Sequence, residues 1–198
     1  MNQNKKKILV VLGHPNPNSL CAKFAQVYTE AAVKEGHSVE ILRLIDLKFD
    51  YNLRFGYGAE SIQTMEPDIR ESQNKISKAD HLVFVFPSWW ASMPSVLKGW
   101  IDRVFIPGFS FQYQKHSPFP KQLLKGKTAH ILVTMDAPTW YYKLVNWSPG
   151  IRILKKGTLE FCGVGPVKVS YFDQVRKRKE PEIANWIQRV MKLGSVAA

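Results

Sequence analysis

Four short, predominantly apolar runs punctuate the chain, each bounded by polar or turn-forming residues, and the first is continuously apolar. Lys7 to Gly13 (KILVVLG), His81 to Pro87 (HLVFVFP), Thr128 to Met135 (TAHILVTM) and Val167 to Phe172 (VKVSYF) have the length and β-branched content of strands. Val39 to Leu44 predicts another strand, giving five in all. Between them the period changes to that of a helix. Cys21, Phe24, Ala25, Tyr28 and Ala32 recur on one stripe behind Ser19, a good N-cap, until Gly36 ends the pattern. A weaker amphipathic helix is predicted from Pro67 to Ala79. Val96, Leu97, Trp100, Ile101, Val104 and Phe105 line another helix, with Pro94 suiting its first turn. Gly99 lies inside that helix and implies close packing on the sheet. Ile151 to Cys162 predicts a helix closed by Gly163, and Pro181 to Leu193 a last one with Ile183, Trp186, Ile187, Val190 and Met191 on one face.

Strands alternating with helices predict an α/β fold, a parallel sheet with helices on both sides. In such sheets ligands bind outside the carboxyl ends of the strands, where strand order reverses. Three loops leave those ends: "GHPNPNS", "PSWWASMP" and "MDAPTWYY". Ile106 to Lys125 is a long connection rich in Pro, Phe and Tyr, too apolar for a plain solvated loop.

The totals narrow the class. With 198 residues, the chain suits one domain over residues 1–198, burying roughly 70% of its unfolded surface. No window approaches the ~18 apolar residues of a membrane span, and the first apolar run stops at His14 and Pro15, which places the protein in the cytoplasm. Only Cys21 and Cys162 occur, too few for a disulfide framework or a zinc site, so no metal is expected. The formal net charge of +12 suits nucleic acid, an anionic membrane face or a phosphorylated small molecule. No aromatic-and-basic RNA motif is evident, and any membrane contact is at most peripheral.

The loops favour the small molecule. The G-x-G-x-x-G fingerprint is absent after the first strand, and "KGKT" lacks the upstream glycine of a phosphate-cradling loop. What remains is a polar loop ending at Ser19 on a helix N-terminus, where free amides and the dipole favour an anion, with His14 as a further donor. Phosphate binding is too weak alone. Nanomolar retention needs about 12 kcal/mol, whereas the dipole supplies at most ~2 and each charge-assisted hydrogen bond ~1.5 to 3. A flat group must also be buried, and Trp89 and Trp90 offer it an aromatic wall whose loop amides can meet its polar rim. Trp140, Tyr141 and Tyr142 crowd the same region. The combination points to a phosphate-bearing planar cofactor, a flavin first. No G-x-S-x-G or H-E-x-x-H motif competes.

"ILVVLGHPNPNS", "FPSWWASMPSVLKGWIDRVF", "PGFSFQY" and "LVTMDAP", taken in order, resemble the NAD(P)H:quinone oxidoreductase family, the DT-diaphorase-like flavoproteins, and particularly their short bacterial members. The resemblance implies a flavodoxin-like three-layer sandwich with strand order 2-1-3-4-5. It also implies a bound FMN in preference to FAD, NAD(P)H as co-substrate, two-electron reduction of a quinone or similar small-molecule acceptor, and a homodimer with its active sites at the subunit interface. Carried over, His14, Asn18, Ser19 and Cys21 would surround the flavin phosphate. Pro87, Ser88, Trp89, Trp90, Ala91 and Ser92 would border the ring, and Thr134, Met135, Asp136 and Ala137 would close its other edge. Phe111 and Tyr113 match positions that, in dimeric relatives, roof the substrate pocket of the neighbouring subunit, Trp140 would join the substrate pocket, and Tyr142 would serve as an auxiliary donor. Asp136 and Ala137 stand where relatives often carry Gly-Gly, and a carboxylate facing the ring would disfavour a reduced anionic flavin. The family's companion histidine has no match here; Ser148 lies near its place. Some short relatives are instead flavin-binding regulatory subunits of a membrane potassium-efflux system, which is the alternative function.

Overall fold

The computed structural model describes residues 5–56 and 63–197. Its central sheet has five parallel strands in the order β2-β1-β3-β6-β7, formed by β1 (Lys7–Leu12), β2 (Ser38–Arg43), β3 (His81–Pro87), β6 (Thr128–Thr134) and β7 (Val167–Phe172). Counting only these strands, the order is the expected 2-1-3-4-5. The chain passes from β1 to β2 on one side and then crosses to β3 on the other, so order reverses between β1 and β3.

Alternation along each strand builds two cores. Leu9, Val11, Leu82, Phe84, Ile131 and Val133 point to the face covered by α2 (Pro67–Lys78), α3 (Ser95–Val104) and the helix that begins as α5 (Pro149–Arg152) and continues as a π-helical stretch to Glu160. Ile8, Val10, Val83, Val85, Leu132 and Phe172 point to the opposite face, covered by α1 (Leu20–Lys34) and α6 (Glu180–Val196). Because β1, β3 and β6 are buried on both faces, they read as continuous apolar runs. α1 and α6 touch closely at Gly194, where a Cβ would collide with the Tyr28 carbonyl.

Three local expectations change. The Ile106 to Lys125 connection contains an antiparallel hairpin, β4 (Phe111–Gln114) with β5 (Ser117–Gln122). Part of "MDAPTWYY" belongs to a short helix, α4 (Thr139–Leu144). Gly99 packs not on the sheet but against the loop after β2, where a Cβ would lie 2.9 Å from the Tyr51 Cβ. Buried Arg103 on α3 secures the same loop. Its guanidinium donates to the carbonyls of Asp50 (2.8 Å) and Thr64 (3.2 Å) and pairs with Glu66, while Lys98 takes Asp102.

Candidate cofactor site

A cleft of about 240 Å³ opens at the carboxyl ends of β1, β3 and β6, beside the strand-order reversal. It is lined by His14, Ser19, Leu20 and Cys21 from the first loop and helix, Pro87 to Trp89 after β3, Thr134 to Asp136 after β6, and Val175 with Arg176 after β7.

The α1 end has the features of an anion seat. Ser19 caps the helix in extended conformation, and its Oγ accepts from the Ala22 amide at 3.1 Å. Capping uses a lone pair of the hydroxyl and leaves its O–H, so the donors left for a ligand are that O–H and the Leu20 and Cys21 amides, which the first helical turn cannot satisfy. His14 Nδ1 accepts from the Asn16 amide at 3.0 Å, which puts the ring proton of the neutral imidazole on Nε2. Burial lowers the His14 pKa, so this neutral donor form prevails at pH 7. Cys21 bonds Thr134 Oγ1 at 3.2 Å, tying the helix start to β6, and burial pushes its thiol up to about 12; it is a packing residue, not a nucleophile.

The turn after β3 forms the other wall. Trp89 and Ser92 exchange backbone hydrogen bonds of 2.9 Å each way, and the tip residues Trp90 and Ala91 both take left-handed conformations, with φ of 50° and 58°. Two such non-glycine residues are costly, roughly 1 to 2 kcal/mol each, so the turn must be held from outside. The Ala91 carbonyl supplies that hold, accepting from the Gly150 amide at 3.2 Å and the Tyr142 hydroxyl at 3.1 Å. Gly150 permits the approach because a Cβ there would sit 2.8 Å from the Ser92 Cα. Trp89 stands edge-on to His14 at 5.5 Å, and Trp90 is fully exposed at the tip. The amides of Trp89 and Ser92, expected to face a ring, are used within the turn; those of Trp90 and Ala91 are without an intrachain acceptor among the described residues.

Of the residues expected around a cofactor, His14, Ser19, Cys21, Pro87, Ser88, Trp89, Thr134, Met135 and Asp136 meet in this cleft. Asn18, Trp90, Ala91, Ser92 and Ala137 are not among its lining; Asn18 lies in an exposed Asx turn, its amide on Asn16 Oδ1 at 2.8 Å. Tyr142 is not an auxiliary donor to the cleft. It is only 2% exposed, its hydroxyl is given to Ala91, and burial raises its pKa, so it positions the turn. Phe111 is buried within its own subunit against Phe161, ring centroids 5.1 Å apart. Tyr113 is exposed on the hairpin and Trp140 on α4, both away from the cleft lining. Asp136 is turned to Arg176, accepting its backbone amide at 3.1 Å and pairing with its guanidinium at 2.9 Å. Val175 and Arg176 are cleft residues that no apolar periodicity marks, and only the end of the parallel β7 brings them beside β6. Among the described residues no group of His, Cys, Asp or Glu could hold a metal ion.

A parallel sheet in this order, with a cleft at its reversal point, defines a class: residues 6–193 match the flavodoxin-like fold family, and the chain belongs to it. Within it, the chain is 30% identical over 214 residues to the mouse (Mus musculus) protein named ribosyldihydronicotinamide dehydrogenase [quinone], covering 95% of this chain and 92% of that one. Smu.1420 from Streptococcus mutans UA159 superimposes with a TM-score of 0.84 at 31% identity, over 96% of this chain and 99% of that one. The glutathione-regulated potassium-efflux system ancillary protein KefF of Enterobacter sp. (strain 638) is 30% identical over 160 residues, 79% of this chain and 77% of that one.

Proposed function

We propose that the protein is a flavin-dependent NAD(P)H oxidoreductase that reduces quinones or similar electrophiles by two electrons, with FMN as its flavin. The observation that carries this reading is the pairing of a helix-end anion seat with an indole-bearing turn in one cleft. A near-full-length relative named as a quinone dehydrogenase supports it.

The residues fit a flavin mononucleotide. The Leu20 and Cys21 amides, the Ser19 hydroxyl and His14 Nε2–H would hold the phosphate, and Pro87 to Trp89 would lie along the ring, with Thr134 and Met135 against it. When bound, the flavin would supply the two-electron redox chemistry between a dihydronicotinamide and the acceptor. The protein's own part is to seat, orient and exclude water. No side chain in the cleft need act as acid or base.

A cleft of about 240 Å³ is smaller than the ~300 Å³ from which ligand-enclosing pockets ordinarily start. The ring would therefore be partly uncovered within one subunit. Trp90, Trp140, Tyr141, Leu144, Val145 and Trp147 are exposed on the turn and on the segment that pins it, an apolar surface suited to a second copy. A homodimer that covers the ring accounts for both features. Among the described residues no helix is long and apolar enough to cross a membrane.

Absorbance of the FMN-loaded protein under anaerobic conditions tests the proposal. Stoichiometric bleaching by NADH or NADPH, reversed by a quinone, is the expected result, and a folded protein that takes up no flavin contradicts it. The KefF relative supports a second reading, a flavin-binding ancillary subunit of an efflux system, for which salt-sensitive sedimentation with membranes and no quinone turnover are expected.

A further inference from the structure

The 3₁₀ turn Val175–Lys177 follows Gln174, whose left-handed φ of 54° folds the chain back over the end of β6. Asp136 holds that turn in two separable ways. Its Oδ1 accepts the Arg176 backbone amide at 3.1 Å, which fixes the loop, while Oδ2 meets the Arg176 Nε at 2.9 Å. The second contact lies on the surface, with the Arg176 side chain 88% exposed and that of Asp136 49% exposed. Ion pairs of that exposure are weak and exchange readily. The neighbouring Arg178 is not available in the same way, since Asp173 and Glu182 both hold it, at 2.9 and 2.7 Å. Arg176 is therefore the guanidinium that lines the cleft shared with the free amides of α1, and it can turn without unfolding its own loop.

We infer that Arg176 is the specificity-determining residue for a terminal phosphate in this cleft, exchanging the Asp136 carboxylate for a phosphate monoester when the ligand arrives. This rests on the flavin reading above and deepens it. A planar fork with several donors suits a phosphate better than a lysine would, and a terminal monoester carries more charge than a bridging diester. The structure thus assigns this chain a preference for FMN over FAD and over riboflavin.

Titration of flavin-free protein with FMN, FAD and riboflavin, followed by quenching of flavin fluorescence, tests the inference without any turnover. The wild type should bind FMN more tightly than the other two. Arg176→Ala should weaken FMN by about 10- to 100-fold, the range of one charge-assisted hydrogen bond, while leaving riboflavin within about 2-fold. Asp136→Asn keeps an acceptor for the Arg176 amide and frees the guanidinium, so it should tighten FMN by up to about 5-fold and leave riboflavin unchanged. An Arg176→Ala protein that binds FMN as the wild type does, or that loses FMN and riboflavin equally, overturns the inference while the flavin reading stands. Failure of folded wild-type protein to bind any of the three overturns both.

Discussion

Replacing Gly150 by alanine probes how the indole turn is held. The new methyl would lie 2.8 Å from the Ser92 Cα and 3.1 Å from its carbonyl carbon, both backbone atoms of the turn. They cannot step aside as a flexible side chain can, so the turn must move away from α5. Movement stretches the two hydrogen bonds on the Ala91 carbonyl, from the Gly150 amide and the Tyr142 hydroxyl, at ~0.5 to 1.5 kcal/mol each. Overpacking adds ~1 to 3 kcal/mol. A total of about 2 to 6 kcal/mol follows, which lowers the melting temperature by at least about 4 °C in a domain of this size. Flavin affinity should fall by more than about tenfold, because Trp90 and Ala91 lose the support that keeps them left-handed. Tyr142→Phe removes only one of the two bonds and should cost at most about 1.5 kcal/mol. Since both variants act through one carbonyl, the double variant should resemble Gly150→Ala alone. Thermal melts and flavin titrations on the single and double variants provide the cycle. A Gly150→Ala protein with wild-type melting and flavin affinity, or strictly additive losses, would refute the proposed hold.

Arg103→Ala should destabilise the fold by about 3 to 5 kcal/mol in urea, because it strips a buried guanidinium from Glu66 and from two carbonyls of the loop after β2; a loss under 1 kcal/mol would contradict that account. Ala91→Gly relieves a side chain at φ 58° and should raise the flavin-free melting temperature by about 2 to 4 °C, while weakening flavin binding through a looser turn. His81 and His130 are held neutral, with pKa values of about 3 and about 4, by burial first and then by nearby positive charge from Lys6, Lys168, Arg189 and other histidines. An unfolded chain, titrating near 6.5, binds more protons between pH 6.5 and those values, so their contribution is complete above pH 6.5 and shrinks as pH falls. At about pH 4.5 each histidine should have removed on the order of 2 to 3 kcal/mol, and urea midpoints that stay flat from pH 7 to 4.5 would exclude this linkage.

The strands that surround the site were legible because β1, β3 and β6 are covered on both faces and so leave solid apolar runs. Ser19 was legible for a similar reason, since an N-cap is a local decision between one side chain and one amide. The hairpin was hidden because β5 contains Pro118 and Pro120 and exposes Phe119, which removes both alternation and ladder donors from its signature. The short α4 gives less than two turns, too few to establish a period, and its Trp140 and Leu144 point outward. Tyr142 and Gly150 act on a turn more than fifty residues away through a single carbonyl, a relation that spacing does not encode. Arg176 belongs to the same category: one sequence run holds a guanidinium committed to Asp173 and Glu182 and another that lines the cleft, and only the fold separates them.

Amide-resolved NMR spectra of the protein during an FMN titration address the seat of the flavin most directly. Saturable shifts concentrated on Leu20, Cys21, Ser88, Trp89 and Met135, with smaller ones at Val175 and Arg176, are the predicted result. Shifts gathered instead on the Phe111–Gln122 hairpin, or none at concentrations where flavin fluorescence is quenched, would contradict it.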